Sequence, residues 1–169
     1  MFYLGIDVSK GKLDCALFDE STSKIKSKVV TNDAPGFVML QEWLKKQKAE
    51  APHVVMEPTG VYHESAAFFL SDAGLTISFV NPAQIRSFAQ GIGVKTKTDK
   101  KDREVLARYG NTQKPEAWVP PPASARMLKA LLARRDAVAD DLQREKNRQG
   151  KLVATEPPPL VLQALEASI

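Results

Sequence analysis

Three segments in the first 31 residues have the apolar patterning of β-strands. Residues 2–8 and 13–18 are rich in apolar and β-branched side chains, and the turn sequence Ser9-Lys10-Gly11-Lys12 separates them. In residues 24–31 apolar side chains alternate with lysines, as in an exposed or edge strand. The pattern predicts a β-hairpin followed by a third strand.

Beyond residue 32 the pattern changes to helices that alternate with short buried strands. Apolar residues at helical spacing predict a helix over residues 35–49, with Asp33 as a candidate N-cap. The same spacing predicts a helix over residues 61–73, which ends before Gly74. Residues 53–56 and 75–80 are apolar enough to be buried strands, and residues 83–90 and 100–110 are helical. Later parallel strands need crossover connections, so this order predicts an α/β fold with a mixed five-stranded sheet and flanking helices.

The segment after residue 119 has a different pattern. Residues 120–122 are three prolines, a stiff spacer, which predicts a domain of residues 1–119, a linker of residues 120–123 and a helical arm of residues 124–169. Ser124 is expected to cap a long helix that runs to residue 148. The prolines at 157–159 and a further apolar helix follow it. The apolar positions of the long helix form a short heptad seam with one polar interruption, typical of a helical hairpin or coiled-coil arm: Leu128, Leu131, Arg135, Val138 and Leu142.

The charges divide the chain differently. Residues 1–94 hold 9 Lys/Arg against 10 Asp/Glu, whereas residues 95–151 hold 15 against 8. A basic block of this kind favours a polyanion partner, although a solvated basic surface would have the same composition.

The single cysteine excludes an internal disulfide. The absence of a signal peptide and of any run near the roughly 18 apolar residues of a membrane span leads us to expect a cytoplasmic protein without membrane contact.

Four carboxylates stand out against this background. Asp7 lies within an apolar strand and Glu57 directly after another, where an ionised group is costly without a partner. If the two strands are neighbours, the two carboxylates repel each other and favour a positive charge between them. Asp99 and Asp102, three residues apart, lie on one face at the start of a predicted helix, where the helix dipole also favours anions.

A ligand set of carboxylate oxygens that includes no cysteine favours a hard cation such as Mg²⁺ or Mn²⁺ over zinc. Two such ions would activate a water or hydroxyl and stabilise the leaving oxygen in phosphodiester cleavage. Cations that would attract a phosphate backbone to this centre surround the aspartate pair: Lys95, Lys97, Lys100, Lys101 and Arg103. The order of the four acids is that of the ribonuclease H-like nucleases.

Four motifs in succession extend this likeness to a family. They are Gly5-Ile6-Asp7-Val8-Ser9-Lys10, Met56-Glu57-Pro58-Thr59-Gly60, Asn81-Pro82, and Lys97-Thr98-Asp99-Lys100-Lys101-Asp102 with the following Leu106-Ala107-Arg108-Tyr109. Residues 2–150 thereby resemble the N-terminal DEDD domain of insertion-sequence transposases of the Piv/MooV DNA-invertase type. The resemblance implies a ribonuclease H-like (RuvC-like) fold and a metal-binding catalytic tetrad of Asp7, Glu57, Asp99 and Asp102.

The resemblance also implies an activity and its partners. The family performs metal-dependent, site-specific DNA recombination in transposition, guided by a structured bridge RNA, so we expect a prokaryotic, nucleoid-associated enzyme. Its helical arm serves protomer assembly and nucleic-acid contacts, which adds Arg134 and Arg135 to the expected nucleic-acid surface. Lys10, at the end of the first motif, is also expected to contact nucleic acid. Family members carry a C-terminal domain with a catalytic serine; no serine here matches that motif, so we expect the chain to be part of a longer protein.

Other interpretations remain open on sequence grounds. The carboxylates could be inactive in a nucleic-acid-binding or oligomerisation module, or the chain could be a stand-alone Holliday-junction-type nuclease. An actin-like ATPase is disfavoured because Ser9 and Gly11 occupy the wrong positions for its phosphate turn. His53 and His63 are expected to be ordinary structural residues, and Cys15 a small buried hydrophobe.

Overall fold

The structure is a computed structural model that describes residues 1–94, 99–153 and 158–167. The side chains at positions 99, 100, 153, 162, 165 and 166 lie outside the description. The chain divides into two compact units, Met1–Pro120 and Pro121–Ile169. In the described ranges, no helix is long and apolar enough to cross a membrane.

The first unit is built on a mixed five-stranded sheet. Its spatial order is β3-β2-β1-β4-β5, antiparallel from β3 to β1 and parallel from β1 to β5. The predicted α/β architecture is thereby confirmed, with the hairpin first and the parallel strands reached through crossovers. The strands are β1 (Phe2–Val8), β2 (Lys12–Asp19), β3 (Lys24–Thr31), β4 (His53–Met56) and β5 (Ile77–Phe79).

Four helices connect or cover these strands: α1 (Ala34–Lys46), α2 (Glu64–Asp72), α3 (Pro82–Gly91) and α4 (Asp99–Gln113). Asp33 caps α1 as predicted, since its carboxylate accepts a hydrogen bond from the Gly36 amide at 2.8 Å. Hydrogen bonds from Thr31 and Gly36 hold the pKa of Asp33 below its usual value. Local capping chemistry therefore sets where α1 begins.

Several element boundaries differ from the predicted ones. The helix expected from residue 61 begins at Glu64, because Gly60 has a φ of 52° and residues 60–63 form a turn. The last strand spans only Ile77–Phe79 rather than residues 75–80. Helix α1 ends at Lys46, two residues before Lys48 takes a left-handed φ of 58°. These differences lie at element ends, where a local pattern is least informative.

The two faces of the sheet are covered differently. On one face, alternate residues of β1, β2 and β4 pack with α1 and α2 into a continuous apolar core that includes Leu4, Ile6, Leu40, Met56 and Leu70. The other face is covered by α4, which contacts β1, β2 and β4. Cys15 belongs to the apolar core, where burial raises the pKa of its thiol, so the prediction of a buried hydrophobe is confirmed.

The second unit contains α5 (Ala123–Val153) and α6 (Pro159–Glu166), which contact each other. The long helix predicted here is present and extends past residue 148. Ser124 lies inside α5 rather than capping it, because the helix already begins at Ala123.

Candidate functional site

Asp7 and Glu57 come to the same edge of the sheet. Strands β1 and β4 are parallel neighbours in which Ile6 pairs with Met56, and each acid is the next residue in the chain: Asp7 within β1 and Glu57 directly after β4. The carboxyl ends of neighbouring parallel strands lie at the same edge of a sheet, so the two half-buried acids share one edge and one face of this sheet. The two strands are thus neighbours, which is the condition under which we expected the two carboxylates to repel each other.

Helix α4, which covers this face, carries the second pair of acids in its first turn. Asp99 is its first residue, and Asp102 follows within the first turn and is half-buried. The helix contacts β1, β2 and β4, and its N-terminal part packs against Gly5, two residues before Asp7. Its unpaired backbone amides favour negative charge at this end.

A glycine brings α4 into close contact with the strand of Asp7. A Cβ atom added to Gly5 would lie 2.2 Å from the carbonyl oxygen of Arg103 and 2.5 Å from the backbone nitrogen of Ala107. Only a residue without a side chain allows the helix backbone to approach this closely. Since Gly5 lies two residues before Asp7 and Arg103 directly follows Asp102, this contact sets the separation of β1 from the first turn of α4.

The loops after the two acid-bearing strands are joined by Asn32. Its Nδ2 donates to the carbonyl of Ser9 at 2.8 Å, in the turn after β1, and to that of Tyr62 at 3.0 Å, in the segment after β4. His63 supports the same segment, because its Nδ1 accepts a hydrogen bond from the Thr59 amide at 3.1 Å. The role of Asn32 has no signature in the sequence, because its partners lie 23 and 30 residues away.

A buried ion pair lies beside Asp7. Asp14 on β2 pairs with Asp7 in the antiparallel register, so both side chains project to the α4 face. The Nη1 of Arg103 donates to Asp14 Oδ1 at 2.7 Å, and Lys12 Nζ lies 2.8 Å from Oδ2. An aspartate inside an apolar strand is the signal that pointed to Asp7, and it applies equally to Asp14, which sequence reasoning missed.

Arg103 requires a correction. We expected it to contact a phosphate backbone, but it is only 9% exposed and its guanidinium is held by Asp14. Withdrawing Arg103 would leave the buried Asp14 with Lys12, and breaking a buried ion pair is costly. We therefore leave Arg103 out of the proposed nucleic-acid surface.

The other expected phosphate-contacting residues are distributed over both units. Lys10, in the turn after β1, and Lys101, on α4, are exposed. Arg134 and Arg135 are exposed on α5, where Arg135 pairs with Asp136 at 2.6 Å. Lys95 and Lys97 lie outside the described residues, and of Lys100 only the helical backbone is described.

The donor set suits a hard divalent cation, since all four acids offer carboxylate oxygens. Among the described side chains, no three His, Cys, Asp or Glu residues are grouped so that they could hold a metal ion. The carboxylate of Asp99 lies outside that description. The fit to a metal thus rests on donor chemistry and on the elements that place these positions, not on a preformed cluster.

The histidines have structural roles, as expected. His53 is buried, and its Nε2 lies 2.7 Å from Ser78 Oγ, which donates to the backbone carbonyl of Glu116 at 2.7 Å. Burial lowers the pKa of His53. This chain of contacts attaches the segment after α4 to the edge of the sheet.

A family described as "Transposase", with a DEDD domain of the IS110 type, has a sequence model that matches residues 4–156. The matched range includes all four acids. The chain belongs to this transposase family. Members with this DEDD, RuvC-like domain generally use divalent metal ions.

Two relatives of this transposase chain are pilin gene-inverting proteins, one from Moraxella lacunata and one from Moraxella bovis. Each is 34% identical over 152 residues, which cover 89% of this chain and 47% of the relative. The chain therefore spans about half the length of these curated relatives.

A solved structure shows the same fold. The T. thermophilus RuvC in complex with Holliday junction substrate matches with a TM-score of 0.50 and 13% identity, over 70% of this chain and 99% of the RuvC chain. At this identity the likeness concerns the fold alone. The predicted RuvC-like fold of this transposase domain is confirmed.

Proposed function

We propose that this chain is the metal-dependent catalytic domain of a DNA transposase or site-specific recombinase that cleaves and exchanges DNA strands. One observation carries the proposal. Asp7 and Glu57 lie at one edge of two neighbouring parallel strands, and the helix that packs on this sheet face has Asp99 and Asp102 in its first turn. Family membership over residues 4–156 supports the reaction class.

Asp7, Glu57, Asp99 and Asp102 are the proposed ligands, and the proposed cofactor is a pair of Mg²⁺ or Mn²⁺ ions. Such ions would activate the attacking oxygen and stabilise the leaving oxygen of a phosphodiester. Such ions would bind these carboxylates only where the folded chain holds them in place. Metal binding should therefore be measurable as a gain in thermal stability.

The described residues around the site have definable tasks in this function. The β1 and β4 backbones hold Asp7 and Glu57 on the sheet, and the close fit of α4 on Gly5 limits the movement of Asp102. Asn32 ties the two loops that follow the acid-bearing strands. These contacts preorganise carboxylates that would otherwise repel each other.

DNA is the proposed substrate, and a structured guide RNA, which only the family resemblance supports, is the proposed second partner. Lysine and arginine side chains supply the phosphate contacts for both, and in a prokaryotic cell these contacts place the protein at the nucleoid. The proposed contact residues are Lys10, Lys95, Lys97, Lys100, Lys101, Arg134 and Arg135.

Self-association through α5 completes the proposal. Leu128, Leu131 and Val138 are 57%, 62% and 47% exposed, although they follow a heptad spacing. An apolar seam of this kind is buried when a second helix packs against it. We therefore propose a homo-oligomer formed through the helical arm, with a C-terminal serine-containing domain of the longer parent supplying the covalent DNA linkage.

The decisive experiment measures recombination by the full-length parent. Asp7→Ala and Asp102→Asn should each abolish it, because each removes a metal ligand, whereas Glu42→Gln, exposed on α1 across the sheet, should leave it unchanged. Normal recombination by either aspartate variant would overturn the catalytic assignment. It would favour instead a nucleic-acid-binding module, whose affinity falls steeply with salt and is indifferent to Asp7.

Mn²⁺ binding by the 169-residue chain tests the metal site separately from the reaction. Calorimetric titration should show binding that is lost in Asp7→Ala and kept in Glu42→Gln. Metal-dependent cutting of four-way junctions by this chain alone would identify a stand-alone nuclease instead.

A further inference from the structure

The buried pair of Asp14 and Arg103 lies beside the proposed metal site and joins two of the elements that carry its ligands or flank them. Asp14 is directly opposite Asp7 across the β1–β2 ladder, and Arg103 directly follows Asp102 on α4. The two paired residues are 89 positions apart in the chain. Their contact therefore joins the strand pair that presents one proposed ligand to the helix that presents another.

Both partners depend on the contact energetically. The side chains of Asp14 and Arg103 are 7% and 11% exposed, so either charge left alone would be poorly solvated. Two carboxylates directly opposed on one sheet face destabilise each other unless a cation intervenes. Arg103 neutralises Asp14 from the helix, and Lys12 does so from the solvent side, where 47% of its side chain is exposed.

Arg103 also fixes the backbone of the first turn of α4. The carbonyl of Arg103 occupies the space that a side chain on Gly5 would need, while its guanidinium reaches β2. The turn is thereby held against β1 through the backbone and against β2 through the side chain. Asp102, one residue earlier, cannot move far from Asp7 without breaking one of these contacts.

We propose that Asp14 and Arg103 form a positioning pair for the metal site, which sets the place of Asp102 relative to Asp7 and keeps the Asp14 carboxylate from competing for the metal. The inference rests on the proposed metal function. It assigns neither residue a contact with metal or DNA.

The test is Mn²⁺ affinity of the 169-residue chain, measured by calorimetric titration on protein shown to be folded by circular dichroism. Asp14→Asn should weaken binding about 10- to 100-fold, the range seen when residues that orient metal ligands are removed. The substitution leaves a buried cation beside the acids and frees the helix turn. Arg103→Lys keeps the charge but not the planar fork, so we expect a smaller loss of about threefold to tenfold.

The matched control is Arg108→Gln. Arg108 lies on the same helix, but it is exposed and its guanidinium sits over the Phe18 ring at 5.7 Å, so Mn²⁺ affinity should not change. If Asp14→Asn alone does not fold, the double variant Asp14→Asn with Arg103→Gln, which removes both charges, replaces it. A tenfold loss in the folded double variant supports the proposal.

Two results separate the possible failures. If the unaltered chain shows no Asp7-dependent Mn²⁺ binding, the proposed metal function is wrong. If it shows such binding, and a folded Asp14→Asn, double or Arg103→Lys variant keeps the same affinity, the positioning role is wrong and the pair serves stability only.

Discussion

The two faces of the sheet are packed differently. The face under α1 and α2 is filled by apolar side chains from alternate strand positions. The face under α4 also has apolar clusters, but the buried polar or charged residues of the described chain lie on this side: Asp14, His53, Ser78 and Arg103. The first face thus supplies hydrophobic stabilisation, whereas the second combines it with buried polar groups that need hydrogen-bonding partners.

This difference bears on the proposed metal site, because α4 carries two of the four proposed ligands. A buried polar group destabilises the folded protein unless its hydrogen-bonding partner is correctly placed, so the α4 face has little freedom to rearrange. Such rigidity is what a metal site made of mutually repelling carboxylates requires. The two faces should therefore respond differently to substitution.

The largest effect on stability is expected from the apolar face. Leu40→Ala should lower the free energy of unfolding by about 2–5 kcal/mol, because Leu40 is fully buried and its truncation leaves a cavity. Urea denaturation measures the loss, with Met39→Ala, half exposed on the same helix, as control. Mn²⁺ affinity of the folded variant should stay unchanged; a change would mean that the two faces are not independent.

Gly5→Ala attacks the other face. The added methyl group overlaps the backbone of α4, so we expect a loss of about 1–3 kcal/mol together with weaker Mn²⁺ binding as the helix shifts. Gly11→Ala is the control, because a Cβ atom at Gly11 meets nothing within 4 Å. Unaltered metal binding in a folded Gly5→Ala variant would show that helix position does not govern the site.

Ser78→Ala removes one polar partnership from the α4 face. The substitution leaves His53 and the Glu116 carbonyl without their shared hydroxyl, which should cost about 1–3 kcal/mol in urea denaturation. Ser27→Ala on exposed β3 should have little effect. Equal stability of the two variants would contradict the importance of buried hydrogen bonds on this face.

The smallest effect is a dependence of stability on pH. Burial lowers the pKa of His53, so the unfolded chain binds the proton more readily than the folded one. The contribution of neutral His53 is therefore intact above the unfolded value of about 6.5 and is lost as the pH falls below it. Urea denaturation at pH 7.5 and 5.5 should show a decrease that His53→Gln reduces; an identical decrease in both proteins would exclude His53 as its source.

Much of the fold could be predicted from local patterns. Two apolar runs separated by a turn sequence predicted the hairpin, Asp33 predicted the start of α1, and the order of elements predicted the mixed sheet. These features depend on residues close together in the chain. Asp7 and Glu57 were found because a carboxylate next to an apolar strand is costly without a partner.

What could not be predicted involves partners far apart in the chain. Arg103 stands in a run of cations, and its sequence context indicates a phosphate contact rather than a buried pair with Asp14. Ser78 contacts Pro115 and Glu116, which are 37 and 38 residues away. No local periodicity encodes such contacts.

The sequence by itself determined which segments are strands and helices, which acids are candidates for a metal and which family the chain resembles, because spacing, capping and charge act over a few residues. Only the tertiary structure decided which face of the sheet each polar residue occupies and which cations pair with protein rather than solvent. Those outcomes depend on strand register and on how closely α4 approaches Gly5, and both are set by packing between distant parts of the chain.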